Sequence, residues 1–166
     1  MPDPDLEAIT AAFLVAGARF VVIGGFAVIA HDYVRATEDV DLLIPVDEGN
    51  DRRCKSALSA LGATWADAGA TLESRDLTGR AHSRLLTGSG LIDLIREGEC
   101  PLDFRSVTAG AERADLGAGE FLIAGLKSIV SFKRLAGRPR DWLDLEELAA
   151  RHGELPSEPL PGLDDA

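Results

Sequence analysis

Cysteine is scarce in this chain. Cys54 and Cys100 are the two present in 166 residues, and neither sits in Cys-x-x-Cys or Cys/His spacing. That argues against a zinc framework or a disulfide scaffold, and two free thiols suit a reducing, cytoplasmic setting. No run of 18 apolar residues occurs although 46% of the chain is apolar, so the expected class is a soluble globular protein, with no membrane span. The opening Met-Pro-Asp-Pro-Asp-Leu-Glu is acidic and lacks a basic stretch followed by an apolar core, so no secretory signal is expected. Positive charge is short as well: 17 Lys and Arg face 28 Asp and Glu, a net −11. Proteins that hold nucleic acid through many phosphates are basic on at least one face, so this balance speaks against extended DNA binding. A small RNA end remains compatible with it.

The length fits one domain with a genuine core, expected over residues 1–152. Its core spans about 1–105, and a helical C-terminal section covers about 118–152. Residues 153–166 carry Glu154, Glu158, Asp164 and Asp165 with no basic neighbour, and Pro156, Pro159 and Pro161 mark this acidic tail as a candidate for disorder. Asp3-Pro4 reads as a helix start, with Leu6, Ile9, Phe13 and Ala16 at helical spacing and Gly17 as the stop. A strand at Phe20–Ile23, a helix at about 26–33 and a strand ended by Pro45 follow. A helix from about Asp47 to Leu61 ends at Gly62. Trp65 to Arg80 shows no regular pattern. Ser83–Thr87 and Leu91–Ile95 flank Gly88-Ser89-Gly90 as a hairpin. Helices over about 120–136 and 141–151 complete the chain. Strands separated by helices predict an α/β (α+β) fold with a mixed sheet.

Most of the chemistry lies in Val21 to Ile44, VVIGGFAVIAHDYVRATEDVDLLI. An apolar strand runs into Gly24-Gly25, a helix follows, and Asp39-Val40-Asp41 opens a second apolar strand. Along that strand Val40, Leu42 and Ile44 point one way and Asp39 and Asp41 the other. Two carboxylates roughly 6.5–7 Å apart on one face repel unless a cation lies between them, and hard ions such as Mg²⁺ take such oxygen clusters. Gly-Gly before a helix start frees backbone N–H groups for an anion. Each feature also has a plain reading. The acids equally suit the solvated face of an edge strand, and most strand–Gly–helix junctions bind nothing.

The joint spacing resembles the DNA polymerase β-like nucleotidyltransferase superfamily: an apolar residue with Gly-Gly or Gly-Ser, about a dozen residues, then Asp-x-Asp in an apolar strand. Here these are Ile23-Gly24-Gly25 and Asp39-Val40-Asp41-Leu42. The fuller string GGFAVIAHDYVRATEDVDLLI is similar to the minimal bacterial group that includes AbiEii-type toxins of toxin–antitoxin systems. The resemblance is close over about residues 18–46, loose over 84–95 and good over 120–148. It implies a nucleotidyltransferase core, Mg²⁺ or Mn²⁺, an NTP, an RNA or small-molecule acceptor and a partner antitoxin protein. Many catalytic members carry Gly-Ser, whereas Gly25 leaves only backbone donors.

Two-metal nucleotidyl transfer uses three carboxylates. Leu91-Ile92-Asp93-Leu94-Ile95 embeds a single acid in an apolar strand, a costly placement unless it pairs or ligates. The resemblance puts the third carboxylate on a later strand of this kind, so Asp93 joins Asp39 and Asp41 as catalytic and metal-binding candidates. A hairpin acid exposed at an edge is the alternative. The same group carries a lysine followed by Gly-Arg-Pro and a basic residue with Asp, matched by Lys133, Gly137-Arg138-Pro139 and Arg140-Asp141. Lys133 is therefore the candidate for the triphosphate, with Lys127 second, alongside the Gly24 and Gly25 amides. Arg35 and Thr37 match the string Arg-x-Thr-x-Asp-h-Asp (h apolar) as nucleotide-binding candidates, though Arg35 suits a counter-ion of Asp39 equally. Arg138, Arg140, Asp141 and Asp144 equally suit a structural ion cluster, the preferred reading for Asp144. His31 fits a structural hydrogen bond. The expected function is metal-dependent NMP transfer from NTP to an acceptor hydroxyl. A nucleotide-binding module without turnover and an antibiotic-modifying nucleotidyltransferase are the alternatives.

Overall fold

Apolar strand residues and capped helices account for the architecture of residues 2–165, the part that the computed structural model describes. In chain order the elements are α1 (Leu6–Val15), β1 (Val21–Ile23), α2 (Gly24–Ala30), β2 (Asp39–Ile44), α3 (Glu48–Ala60) and β3 (Thr64–Trp65). A 3-10 turn at Leu72–Ser74 leads to β4 (His82–Thr87) and β5 (Gly90–Arg96). Then come α4 (Phe104–Ala109), β6 (Glu112–Asp115), β7 (Glu120–Ile123), α5 (Leu126–Ala136) and α6 (Pro139–His152). Side chains decide the helix starts. Asp5, rather than Asp3, caps α1 by accepting from the Ala8 amide at 3.0 Å, and Asp47 caps α3 through the Asn50 amide at 2.8 Å.

The seven strands form one mixed sheet in the order β3-β4-β5-β2-β1-β7-β6. β2 runs parallel to β5 and antiparallel to β1, which in turn pairs in parallel with β7. One face is apolar: Val22, Val40, Leu42, Leu85, Ile92 and Leu94 cluster with Ile9 and Phe13 of α1 and Cys54 and Leu58 of α3. Burial drives the Cys54 thiol up to about 12, consistent with a packing role. The other face of the central strands carries the acids.

Two stretches differ from the sequence expectation. Residues 120–123 form β7 rather than the first turn of the helix expected over about 120–136, which begins at Leu126. The dipeptide Ala124-Gly125 separates strand from helix, and backbone lies so close to Gly125 that a Cβ there would sit 2.2 Å from the Gly110 carbonyl oxygen. The acidic tail, expected to be disordered, folds back instead. Leu160 is buried at 2% exposure, Arg134 pairs with Asp164 at 2.6 Å, and Lys127 pairs with Glu158 at 3.2 Å. No helix among the described residues is long and apolar enough to cross a membrane.

Candidate active site

Strand register sets one row of side chains across the sheet. Ile23 of β1 is opposite Asp41 of β2, Asp41 is opposite Asp93 of β5, and Asp93 is opposite Arg84 of β4. Side chains of paired residues share a face, so two acids from different parts of the chain are forced together with an arginine at their side. Asp39, one pleat along β2, completes the group. One carboxylate oxygen from each of Asp39, Asp41 and Asp93 can be chosen so that all three lie within 4.8 Å of one another. Asp93 is 3% exposed, so it is no solvated edge acid.

The electrostatics follow from that crowding. Burial, then the charges of Asp39 and Asp93, pushes the Asp41 carboxyl up to about 7. Asp39 is raised as well, first by burial and then by its contact with Asp93. Side chains on β4 supply the compensating contacts. The Arg84 guanidinium bridges Asp39 at 3.3 Å and Asp93 at 3.1 Å, and His82 Nε2 lies 2.6 Å from Asp93 Oδ1. Sequence reading missed both residues. The signal was available in the hairpin, because a turn between Thr87 and Gly90 counts back to place Arg84 opposite Asp93.

The donor set suits a hard divalent ion: three carboxylates, close and partly buried, of which Asp39 and Asp41 are raised first by burial and then by their acidic neighbours. Space is reserved around it too. Gly24 has φ +68°, and a Cβ there would fall 1.9 Å from Asp41 Oδ2, so only glycine lets the carboxylate lie against the chain. At Gly25 a Cβ would fall 2.5 Å from Thr37 Oγ1. The place of the serine hydroxyl common in Gly-Ser sequences is therefore taken by the hydroxyl of Thr37, which donates to the Asp39 carbonyl at 3.2 Å.

Helices α5 and α6 wall the opposite side. Lys133, 6% exposed, binds Asp141 at 3.1 Å and Asp144 at 2.8 Å. Arg35 meets Asp144 at 2.8 Å, so it balances that residue and not Asp39. Burial lifts Asp141, but the hydrogen bonds from Arg138 and Lys133 outweigh it and hold the carboxyl down at about 2. A cavity of about 480 Å³ opens between this wall and the acids. Its lining includes Gly24, Gly25, Arg35, Thr37, Lys133 and Arg138, together with the three acids. The catalytic and metal-binding candidates Asp39, Asp41 and Asp93 and the nucleotide-binding candidates Gly24, Gly25, Arg35, Thr37 and Lys133 thus share one cavity. Lys127 does not line it. His31 has the structural bond expected, to the Ala124 carbonyl at 3.0 Å.

The sequence matches no family model and no curated protein. Solved structures do resemble it. The crystal structure of ANT(2'')-Ia in complex with adenylyl-2''-tobramycin superposes with a TM-score of 0.56 at 15% identity, over 86% of this chain and 84% of that one. The solution structure of the same antibiotic-resistance factor gives 0.57 at 17% identity, over 88% and 81%. A candidate nucleotidyltransferase from H. pylori gives 0.50 at 22%, over 87% and 65%. The chain thus shares the fold of these solved nucleotidyltransferase structures.

Proposed function

We propose that this protein is a Mg²⁺- or Mn²⁺-dependent nucleotidyltransferase that moves an NMP from an NTP to an acceptor hydroxyl. The convergence of Asp39, Asp41 and Asp93 within 4.8 Å carries the reading. Asp39 and Asp41 would hold the metal, with Asp93 completing the site. Bound there, the ions supply Lewis acidity and charge neutralisation at the phosphates.

The chain's own residues do the rest. The Gly24 and Gly25 amides, and the Thr37 hydroxyl on turning from the Asp39 carbonyl, take phosphate oxygens, and Lys133, Arg35 and Arg138 provide positive charge along the triphosphate. Asp93 accepts the proton of the acceptor hydroxyl. The acceptor oxygen then bonds to the α-phosphorus, the bond from that phosphorus to the bridging oxygen breaks, and pyrophosphate leaves towards the Lys133 wall. A static binding module would not need all three acids. The string around Asp39 and Asp41 further supports a toxin role checked by an antitoxin. The likeness to ANT(2'')-Ia and the acidic composition support the antibiotic-modifying alternative.

The test is incubation with Mg²⁺, each α-labelled NTP, and either total RNA or an aminoglycoside. Labelled product with release of pyrophosphate, lost in Asp41→Asn, is the expected result. Binding of NTP and metal with no transfer to any acceptor would favour the non-catalytic module.

A further inference from the structure

The loop of residues 31–38 joins α2 to β2 and carries Arg35 and Thr37, two of the candidates for holding phosphate, to the cavity. Its own backbone does little to fix it. Among the described residues, none of Val34 to Glu38 takes part in a backbone–backbone hydrogen bond. The loop also begins with a turn at Asp32, whose φ of +74° is a conformation that residues other than glycine adopt rarely.

The anchors come instead from the side chains of one helix. Along α6, Arg140 Nη2 donates to the Ala36 carbonyl at 2.7 Å, and Asp144 accepts from Arg35 Nη2 at 3.0 Å. Near the end of the helix, Arg151 Nε donates to the Asp32 carbonyl at 2.8 Å, and His152 Nε2 donates to the His31 carbonyl at 2.7 Å. The Arg151 guanidinium also lies 4.9 Å from the Tyr33 ring centroid. Residues 140, 144 and 151 are spaced at i, i+4 and i+11, so a single stripe of α6 meets the loop from end to end. Arg140 lines the cavity, whereas Arg151 lies three turns further on, roughly 16 Å along the axis, and does not.

We infer that Arg151, assisted by His152, is a positioning residue for the nucleotide: by holding the turn at Asp32 it fixes the path of the loop and so the placement of Arg35 and Thr37. The inference rests on the transferase reading and adds to it two residues outside the cavity. Its physical basis is the direction of the chain. A left-handed residue sets where the following segment points, and such a conformation persists only where its surroundings hold it. The carbonyl that Arg151 grips belongs to that residue, three positions before Arg35. Beyond it the path has no backbone bonds of its own, so a shift at Asp32 is passed on to Arg35 and Thr37. An NTP then finds its partners in place only in the fraction of molecules with the loop set, and its apparent affinity falls with that fraction.

The test is calorimetry of the full-length protein with each NTP in the presence of Mg²⁺. Arg151→Gln should weaken NTP binding about threefold, and Arg151→Gln with His152→Gln about tenfold. The melting shift caused by Mg²⁺ alone should stay at the wild-type value in both, because Asp39, Asp41 and Asp93 are untouched. Glu147→Gln removes the carboxylate that Arg151 meets at 2.6 Å but no contact to the loop, and NTP affinity should not change. Circular dichroism checks the fold, and the single variant carries the test if the double one does not fold. Wild-type NTP affinity in the folded variants would overturn the inference, and so would an equal loss in Glu147→Gln. A metal shift lost in step with NTP affinity would overturn it too, since that marks general loosening. Failure of the wild type to bind any NTP would remove the transferase reading and the inference with it, whereas wild-type binding that is indifferent to Arg151 removes the inference alone.

Discussion

Asp41 and Asp93 are direct partners across the parallel pair β2–β5 although 52 residues separate them in sequence. Their shared register builds the acidic cluster without any loop having to be ordered. Pre-positioning like charges in a folded sheet costs stability that a divalent cation returns. Mg²⁺ or Mn²⁺ should therefore raise the melting temperature by mass action on the folded state. Asp39→Asn with Asp41→Asn should abolish the rise while the metal-free protein keeps its fold, checked by circular dichroism. An undiminished shift in the double variant would place the ion elsewhere.

The raised Asp41 carboxyl has a consequence for pH. Folded, it titrates at about 7, against 3.8 for an unperturbed group. Between those values the native state holds a proton that the unfolded chain has released. The contribution is thus fully present below the unfolded value and lost as pH rises through the folded one. Metal-free protein should be more stable near about pH 5 than near about pH 8, by on the order of a few kcal/mol. Asp41→Asn should flatten much of that difference in denaturant titrations. Asp141, held down at about 2, titrates below this window, whereas Asp39, raised as well, adds to the difference in the same direction.

Gly24 lies against Asp41 with a left-handed backbone, so Gly24→Ala meets two obstacles: the +68° φ and the 1.9 Å approach to Oδ2. The conformational part alone costs about 1 kcal/mol. Because the carboxylate must turn away, the metal-induced melting shift should shrink along with the basal stability. A variant that loses stability but keeps the full metal shift would show that Asp41 has room to adjust.

Local pattern made the central unit legible. Alternation around Asp39 and Asp41 and the glycine break at 24–25 are short-range signals, and β1, α2 and β2 follow them closely. Asp93 was readable for a similar reason, as a lone acid in an apolar strand. What escaped depended on pairing between distant segments. Arg84 and His82 look like ordinary exposed strand residues until β4 is laid against β5. Arg35 pairs with Asp144, 109 residues away, and no local rule selects that partner over Asp39. Residues 120–123 were misread because a four-residue strand followed by a helix keeps apolar residues at helical intervals by chance.

The ion chain from Arg35 through Asp144, Lys133 and Asp141 to Arg138 ties the loop before β2 to α5 and α6. Removing its central ammonium leaves two buried carboxylates short of a partner. Lys133→Met, similar in length, should cost about 3–5 kcal/mol in denaturant unfolding. If Lys133 also faces the triphosphate, calorimetry should show a larger affinity loss for NTP than for NMP. Equal losses would assign the residue to the ion chain alone.

The tail supplies the last prediction. Composition pointed to disorder after Gly153, since acids and prolines dominate and only three leucines interrupt them. One of these, Leu160, is nonetheless 2% exposed, and Arg134 reaches both the Glu158 carbonyl at 3.2 Å and the Asp164 carboxylate at 2.6 Å. The positive charges lacking within the tail are thus supplied by α5, the helix that also carries Lys133. The exposed ion pairs contribute little by themselves, so the buried leucine should dominate the docking. Leu160→Ala should destabilise the protein by about 2 kcal/mol, near the lower end for a buried leucine because a terminal segment can release instead of leaving a cavity. Amide exchange should quicken across residues 154–165 in that variant while β2 and β5 stay protected. An unchanged melting temperature, with exchange already fast in wild type, would mean that the tail spends its time undocked.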